Sequence, residues 1–288
     1  MFRSGLVAFA ALFSVTVTAT GWAYEIKPKS PDTAFSGKLK PDIVGLSSAT
    51  EGSKAAPVFE AYLKDLPGVK PETAQQKFGG TNVTYVTAMK FTLAPTSTHP
   101  GESMLAVFSS PASSNRAYYI SRLLGFSSDK QPSKTEMIER VTTKYGAPTA
   151  IGDGRMYYFY KGGKLMSVKQ KYTPATALEA LNAPINPKVA VALNDANGRG
   201  SCVAELKRSQ ALEKTLDKLV TEAKAANCDA LISVEIFPGI TADRVSKTEF
   251  TLIDFKQIVS AAKIDGDAFA AEKNEALHKT PLGNAPKL

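Results

Sequence analysis

Histidine, the side chain that most often shuttles protons or binds transition metals near neutral pH, occurs only twice, as His99 in a Thr-Ser-Thr-His-Pro stretch and as His278. Neither stands beside a second ligand type, so hydrolytic triads and zinc chemistry are not expected. The Gly-x-Ser-x-Gly elbow, the Walker loop, the G-x-G-x-x-G fingerprint and H-E-x-x-H are all missing from the sequence. Two carboxylates suffice for glycoside hydrolysis, and Asp254, Asp265 and Asp267 are the nearest thing to an acidic cluster. They stand at the start of a predicted helix and beside Gly266, where capping is the ordinary role of aspartate. Gly152-Asp153-Gly154 reads as a turn, because the spaced ligands of a calcium loop are missing. No catalytic residue, metal site or cofactor is expected.

Binding chemistry is better represented. The run Arg155-Met156-Tyr157-Tyr158-Phe159-Tyr160-Lys161, followed by Lys164, Lys169 and Lys171, alternates as a strand does. One face carries Met156, Tyr158 and Tyr160, the other Tyr157, Phe159 and Lys161. Either both faces are covered by helices, or one shows aromatic and cationic groups together and suits a polyanion, a sugar or a protein. The candidate binding surface is Arg155, Tyr157, Tyr158, Tyr160, Lys161 and Lys164; Tyr118 and Tyr119 repeat the pattern more weakly. The single tryptophan, Trp22, lies near the N-terminus, which disfavours a lectin platform. Asn82-Val83-Thr84 is a glycosylation sequon only in a eukaryotic setting.

The elements that must position these groups are readable from periodicity. Asp42-Ile43-Val44-Gly45-Leu46 precedes a helix with Val58, Tyr62 and Leu66 on one face, ended by Pro67-Gly68. A second helix is predicted over Glu72 to Phe78, stopping at Gly79-Gly80. Strands follow over Val83 to Phe91, Met104 to Ser109 and Ala117 to Leu124. Ser133 and Glu136 have capping-box spacing, Met137, Ile138, Val141 and Tyr145 form an apolar stripe, and Gly146 and Pro148 end that helix. Arg155 to Lys161 and Lys164 to Tyr172 form a hairpin across Gly162-Gly163. Further strands are expected near Val189 to Leu193, Cys202 to Leu206, Ala230 to Phe237 and Thr248 to Ile253. Helices are expected over Ser209 to Ala226 and over Phe255 to His278, the latter broken at Gly266.

Arg3, the apolar run Leu6 to Val17 and the small residues ending at Ala23 read as a secretory signal peptide cut before Tyr24, too short for a comfortable bilayer span. Removing Arg3 with it takes the formal net charge from +8 to +7, the surface of a solvated protein or one that meets an anionic envelope component. Nucleic acid is not an expected partner, and nothing anchors the chain stably to a membrane. In an oxidising compartment the two cysteines, Cys202 and Cys228, are expected to pair, with a loop-entropy stabilisation of about 3 kcal/mol.

Asp42-Ile43-Val44-Gly45-Leu46, Ile120-Ser121-Arg122 and the helix ending Lys144-Tyr145-Gly146-Ala147-Pro148 together resemble a group of functionally uncharacterised exported bacterial proteins. The order of two short helices and an antiparallel sheet, then repeated, is similar to the fold shared by the β-lactamase inhibitor protein and the small lipoprotein of the outer-membrane β-barrel assembly machine. The resemblance covers residues 42–172 and implies a binding module that uses a sheet face. The chain departs from it in lacking a lipidation cysteine after the signal peptide and in extending past Pro187.

The expected fold class is α+β, built as tandem helix-plus-antiparallel-sheet units. Residues 1–23 form the signal peptide, 24–40 a flexible leader, 41–130 the first unit, 131–279 the second unit with one disulfide, and 280–288 a disordered tail. The expected function is that of an exported, soluble, non-enzymatic protein, periplasmic or secreted, binding a protein or envelope component. The alternative is a carboxylate-dependent hydrolase acting on sugar or cell-wall polymer.

Overall fold

Alternating apolar residues produce long strands that pair side by side, some joined by short turns and others brought together from distant parts of the chain, and every pairing among the described residues is antiparallel. In the computed structural model residues 24–35, 41–66, 68–166, 172–185, 202 and 206–279 are described. The helices are α1 (Gly52–Leu63), α2 (Lys134–Tyr145), α3 (Pro174–Asn182), α4 (Arg208–Glu213), α5 (Leu216–Ala225) and α6 (Phe255–Lys279). The strands are β1 (Glu72–Lys77), β2 (Thr84–Leu93), β3 (Gly101–Phe108), β4 (Ala117–Gly125), β5 (Ala150–Gly152), β6 (Arg155–Lys161), β7 (Lys164–Leu165), β8 (Ala230–Pro238) and β9 (Val245–Asp254). The protein is α+β, as its sequence predicts.

A helix leads a set of strands twice along the chain, but the strands of both sets join in one nine-stranded sheet, ordered β1-β2-β3-β4-β9-β8-β6-β5 with β7 on β6. The junction is β9 against β4, from Tyr119 opposite Ile253 to Gly125 opposite Lys247. One face packs on α1, α2 and α3 through Phe59, Leu63, Met137, Val141 and Leu181. The other packs on α4, α5 and α6 through Ala211, Leu219, Phe255 and Ile258. No helix of the described residues is long and apolar enough to cross a membrane.

Helix α2 begins as its sequence dictates: the Ser133 hydroxyl accepts the Glu136 N–H at 3.1 Å, and Gly146, at φ +83°, ends it. Four expectations are corrected. Glu72 to Phe78 is not a helix but strand β1 followed by a hairpin, because Glu-Thr-Ala-Gln-Gln-Lys has no apolar helical face and finds its hydrogen bonds on β2 instead. The stretch Ser209 to Ala226 is two helices, divided where Lys214 adopts an extended conformation. Helix α6 runs unbroken through Gly266, beside which a β-carbon would meet only open space, so the glycine lowers helix propensity without forcing a kink.

The fourth correction concerns the leader. Residues 24–35 form a strap laid on the fold: Lys29 N–H donates to the Ala112 carbonyl at 2.7 Å and Asp32 N–H to Ser260 Oγ at 2.9 Å. Ala34 and Phe35 are buried in the core. The expected strand near Val189 to Leu193, residues 1–23 and residues 280–288 lie outside the described residues, as do all but the ends of Cys202 to Leu206.

Candidate functional site

Two charged residues occupy positions on the sheet face that strand alternation directs at the core. Met104 lies opposite Arg122 and Glu102 opposite Leu124, so Glu102 and Arg122 are diagonal neighbours on one face of β3 and β4. The Glu102 side chain is fully buried and the Arg122 side chain 22% exposed. Arg122 Nε donates to Glu102 Oε1 at 2.7 Å, and Arg122 Nη2 donates to the Tyr62 hydroxyl at 2.7 Å. Tyr62, from α1, donates in turn to Glu102 Oε2 at 2.8 Å. The three groups close a ring, which satisfies the buried carboxylate on both oxygens. Burial, together with the neighbouring carboxylate, pushes the Tyr62 phenol up to about 12 despite the guanidinium, so it stays protonated and donating. His99 Nε2 lies 3.9 Å from Glu102, its Nδ1 hydrogen-bonded with the Pro100 carbonyl at 2.7 Å.

Arg122 faces a cleft of about 440 Å³ between α2 and the sheet, the size of a small-molecule site. Leu124, Phe126 and Phe250 floor it, Val44 and Tyr145 wall it, and each of these five is half-buried. Lys130, Arg140 and Lys144 stand at the rim with Glu136. Arg140 pairs with Glu136 at 2.8 Å and Lys144 with Asp42 at 3.1 Å, exposed pairs that a ligand can exchange at little cost. Lys130 makes no ion pair, and Arg122 Nη1 no hydrogen bond, among the described residues. The cleft thus joins an apolar floor to a rigidly held guanidinium.

The candidate surface on the Tyr-rich strand is corrected. Tyr157, Tyr158 and Tyr160 are buried, Tyr158 and Tyr160 beneath the α1–α2–α3 layer and Tyr157 beneath the α4–α5–α6 layer. Phe35 of the strap packs edge-on against Tyr160 at 4.9 Å between ring centres. Arg155 is half-exposed and pairs with Glu235 at 2.8 Å; Lys161 Nζ meets Asn227 Oδ1 at 3.1 Å; Lys164 is exposed. The cations reach solvent without the aromatics, because helices cover both faces of the sheet. Tyr118 and Tyr119 are buried as well.

The acidic residues take structural places. Asp254 is fully buried and accepts Gln257 N–H at 2.9 Å at the start of α6 and Ala34 N–H at 3.2 Å from the strap. Asp265 accepts the Ser110 N–H at 3.1 Å and the Ser110 hydroxyl at 2.7 Å. Among the described residues no group of three or more His, Cys, Asp or Glu could hold a metal ion. Cys202 and Cys228 are buried, unbonded and in contact; hydrogen bonding to Cys202 and burial push the Cys228 thiol well above its ordinary range. The expected disulfide is therefore not formed in this structure, although its two sulfurs are brought together. Comparison with protein-family models, with curated proteins and with solved structures finds no match to this chain.

Proposed function

We propose that the protein is an exported, non-enzymatic binding protein whose cleft between α2 and the sheet takes a single-chain anionic amphiphile of the cell envelope. The observation that carries the reading is Arg122: Glu102 and Tyr62 fix its plane, its Nη1 has no hydrogen-bond partner among the described residues, and half-buried Leu124, Phe126 and Phe250 lie beside it. A carboxylate or phosphate head meets a preformed guanidinium, and an apolar tail covers the floor. Each half supports the other, since a desolvated ion pair strengthens as water is displaced. The reading keeps a sheet face as the binding surface, which the resemblance implies, while moving it away from the tyrosine strand.

Export rests on the charged, apolar and small-residue segments of residues 1–23. The mature chain is expected to begin at Tyr24 and to be found outside the cytoplasm, periplasmic or secreted; N-terminal sequencing of the fractionated protein checks both. There Cys202 and Cys228 close to a disulfide.

Binding is tested with decanoate, decanol and decyltrimethylammonium by isothermal titration calorimetry on the mature protein. Decanoate is expected to bind, decanol about tenfold more weakly and the cation not at all. The double variant Arg122→Met, Glu102→Gln removes both charges of the buried pair, so that neither is stranded. It should lose decanoate while keeping the wild-type circular dichroism. Equal binding of decanoate and decanol, or undiminished binding in the folded double variant, would refute the proposal.

A further inference from the structure

On the opposite side of the sheet a second cavity, of about 590 Å³, opens between β1–β3 and helices α4, α5 and α6. Tyr118 lines it and is only 3% exposed, yet its hydroxyl makes no hydrogen bond among the described residues. Nor is that oxygen one of the polar atoms sealed in the packing; it opens into the cavity. A phenol almost wholly buried, with no hydrogen-bond partner among the described residues and its oxygen open to a cavity, can bond only with what occupies that cavity.

The surroundings of the hydroxyl have a definite polarity. Asp265 lines the same cavity, its carboxylate held by Ser110, and its charge is felt by both Tyr118 and Tyr85. Asp217 and Glu213 add negative charge on the α4–α5 side, while the one lysine of the lining, Lys214, is engaged by Glu222. Tyr85, Tyr118, Phe108 and Phe269 are the aromatic residues among its lining. A chain with formal net charge +8 thus carries an acidic, aromatic cavity.

We propose that this cavity is a ligand site for an organic ammonium ion with an apolar body, the ammonium donating to the Tyr118 oxygen and the Asp265 carboxylate and lying against the tyrosine rings. Ammonium supplies donors where the site offers acceptors, and its charge is attracted by the carboxylate and by the negative face of the rings. Burial pushes the Asp265 carboxyl above its ordinary range, against its hydrogen bonds to serine, and an ammonium beside it offsets that cost. The site is independent of the cleft at Arg122: it lies on the other sheet face and selects the opposite charge.

The probe is phenethylammonium, with 2-phenylethanol as its uncharged counterpart, followed by NMR of ring-labelled tyrosine in the mature protein. Phenethylammonium is expected to move the Tyr118 and Tyr85 ring signals at millimolar concentration, and the alcohol to bind at least tenfold more weakly. Tyr118→Phe keeps the ring volume and removes one acceptor, so it should weaken phenethylammonium about fivefold. Asp265→Asn should weaken it more; because Asp265 also holds Ser110, the Tyr118→Phe result decides if that variant unfolds. No shift of the tyrosine signals, equal affinity for the alcohol, or unchanged affinity in Tyr118→Phe would overturn the proposal.

Discussion

Glu102 is the residue on which the cleft turns, because its buried carboxylate is tolerable only while Arg122 and Tyr62 surround it. Replacing it by leucine strands a partly buried guanidinium, and an expected loss of about 2–3 kcal/mol should appear in urea unfolding. Asp254 offers a second test. Burial raises its carboxyl to about 6, in spite of bonds from Thr33, Gln257 and Ala34. The folded state therefore holds a proton that the unfolded state releases near pH 4. Asp254's contribution to stability falls as pH rises from about 4 to 6 and is level beyond. Unfolding curves of the wild type and Asp254→Asn, measured across that window, should show their difference shrinking with rising pH; a difference independent of pH would contradict the assignment. Asp254 as a cap could be read from its place before an apolar helix. The Arg122 ring could not, since Tyr62 and Glu102 are 40 residues apart and Glu102 and Arg122 a further 20. The usable sign was a pair of opposite charges at core-facing positions of consecutive strands, visible only once their register is known.

Among the elements, α2 owes its start to one side chain. Ser133→Ala removes the acceptor for Glu136 N–H and should lower stability by about 1 kcal/mol in chemical denaturation. It should also weaken decanoate binding, since Glu136, Met137 and Arg140 of the first turns line the cleft. This helix was readable because cap, stripe and stop agree locally. Strand β1 was not: every residue in it is exposed, so neither helical nor strand periodicity marks it, and its conformation comes from β2. Gly79-Gly80 looks like a helix stop but serves a hairpin, with Gly79 at φ +53° and Glu272 of α6 accepting the Gly80 N–H at 3.1 Å. The alternation of β6 is visible in its residues; which of its faces is covered depends on helices α3 and α5, more than 10 residues further along the chain.

At the scale of the whole molecule, the strap and the cysteine pair tie distant parts together. Phe35→Ala should cost about 3 kcal/mol, measured by thermal or urea unfolding, because Phe35 fills space against Tyr160; a true leader would show no change. Under oxidation the mature protein should lose two hydrogens in intact-mass analysis and gain about 3 kcal/mol over Cys202→Ser, Cys228→Ser. Lysine, proline and serine give residues 24–40 the composition of an unstructured leader, and the apolar residues that anchor residues 24–35, Ala34 and Phe35, are too sparse to signal packing on their own. The sheet order bears on time as well as shape. The last strands of the chain, β8 and β9, occupy the middle of the sheet, between β4 and β6. Until residues 230–254 have emerged, β4 and β6 each present an open edge with no partner. The earlier strands therefore wait for the end of the chain, folding is expected to be slow and concerted, and a polypeptide cut short before β8 should be a substrate for chaperones and proteases.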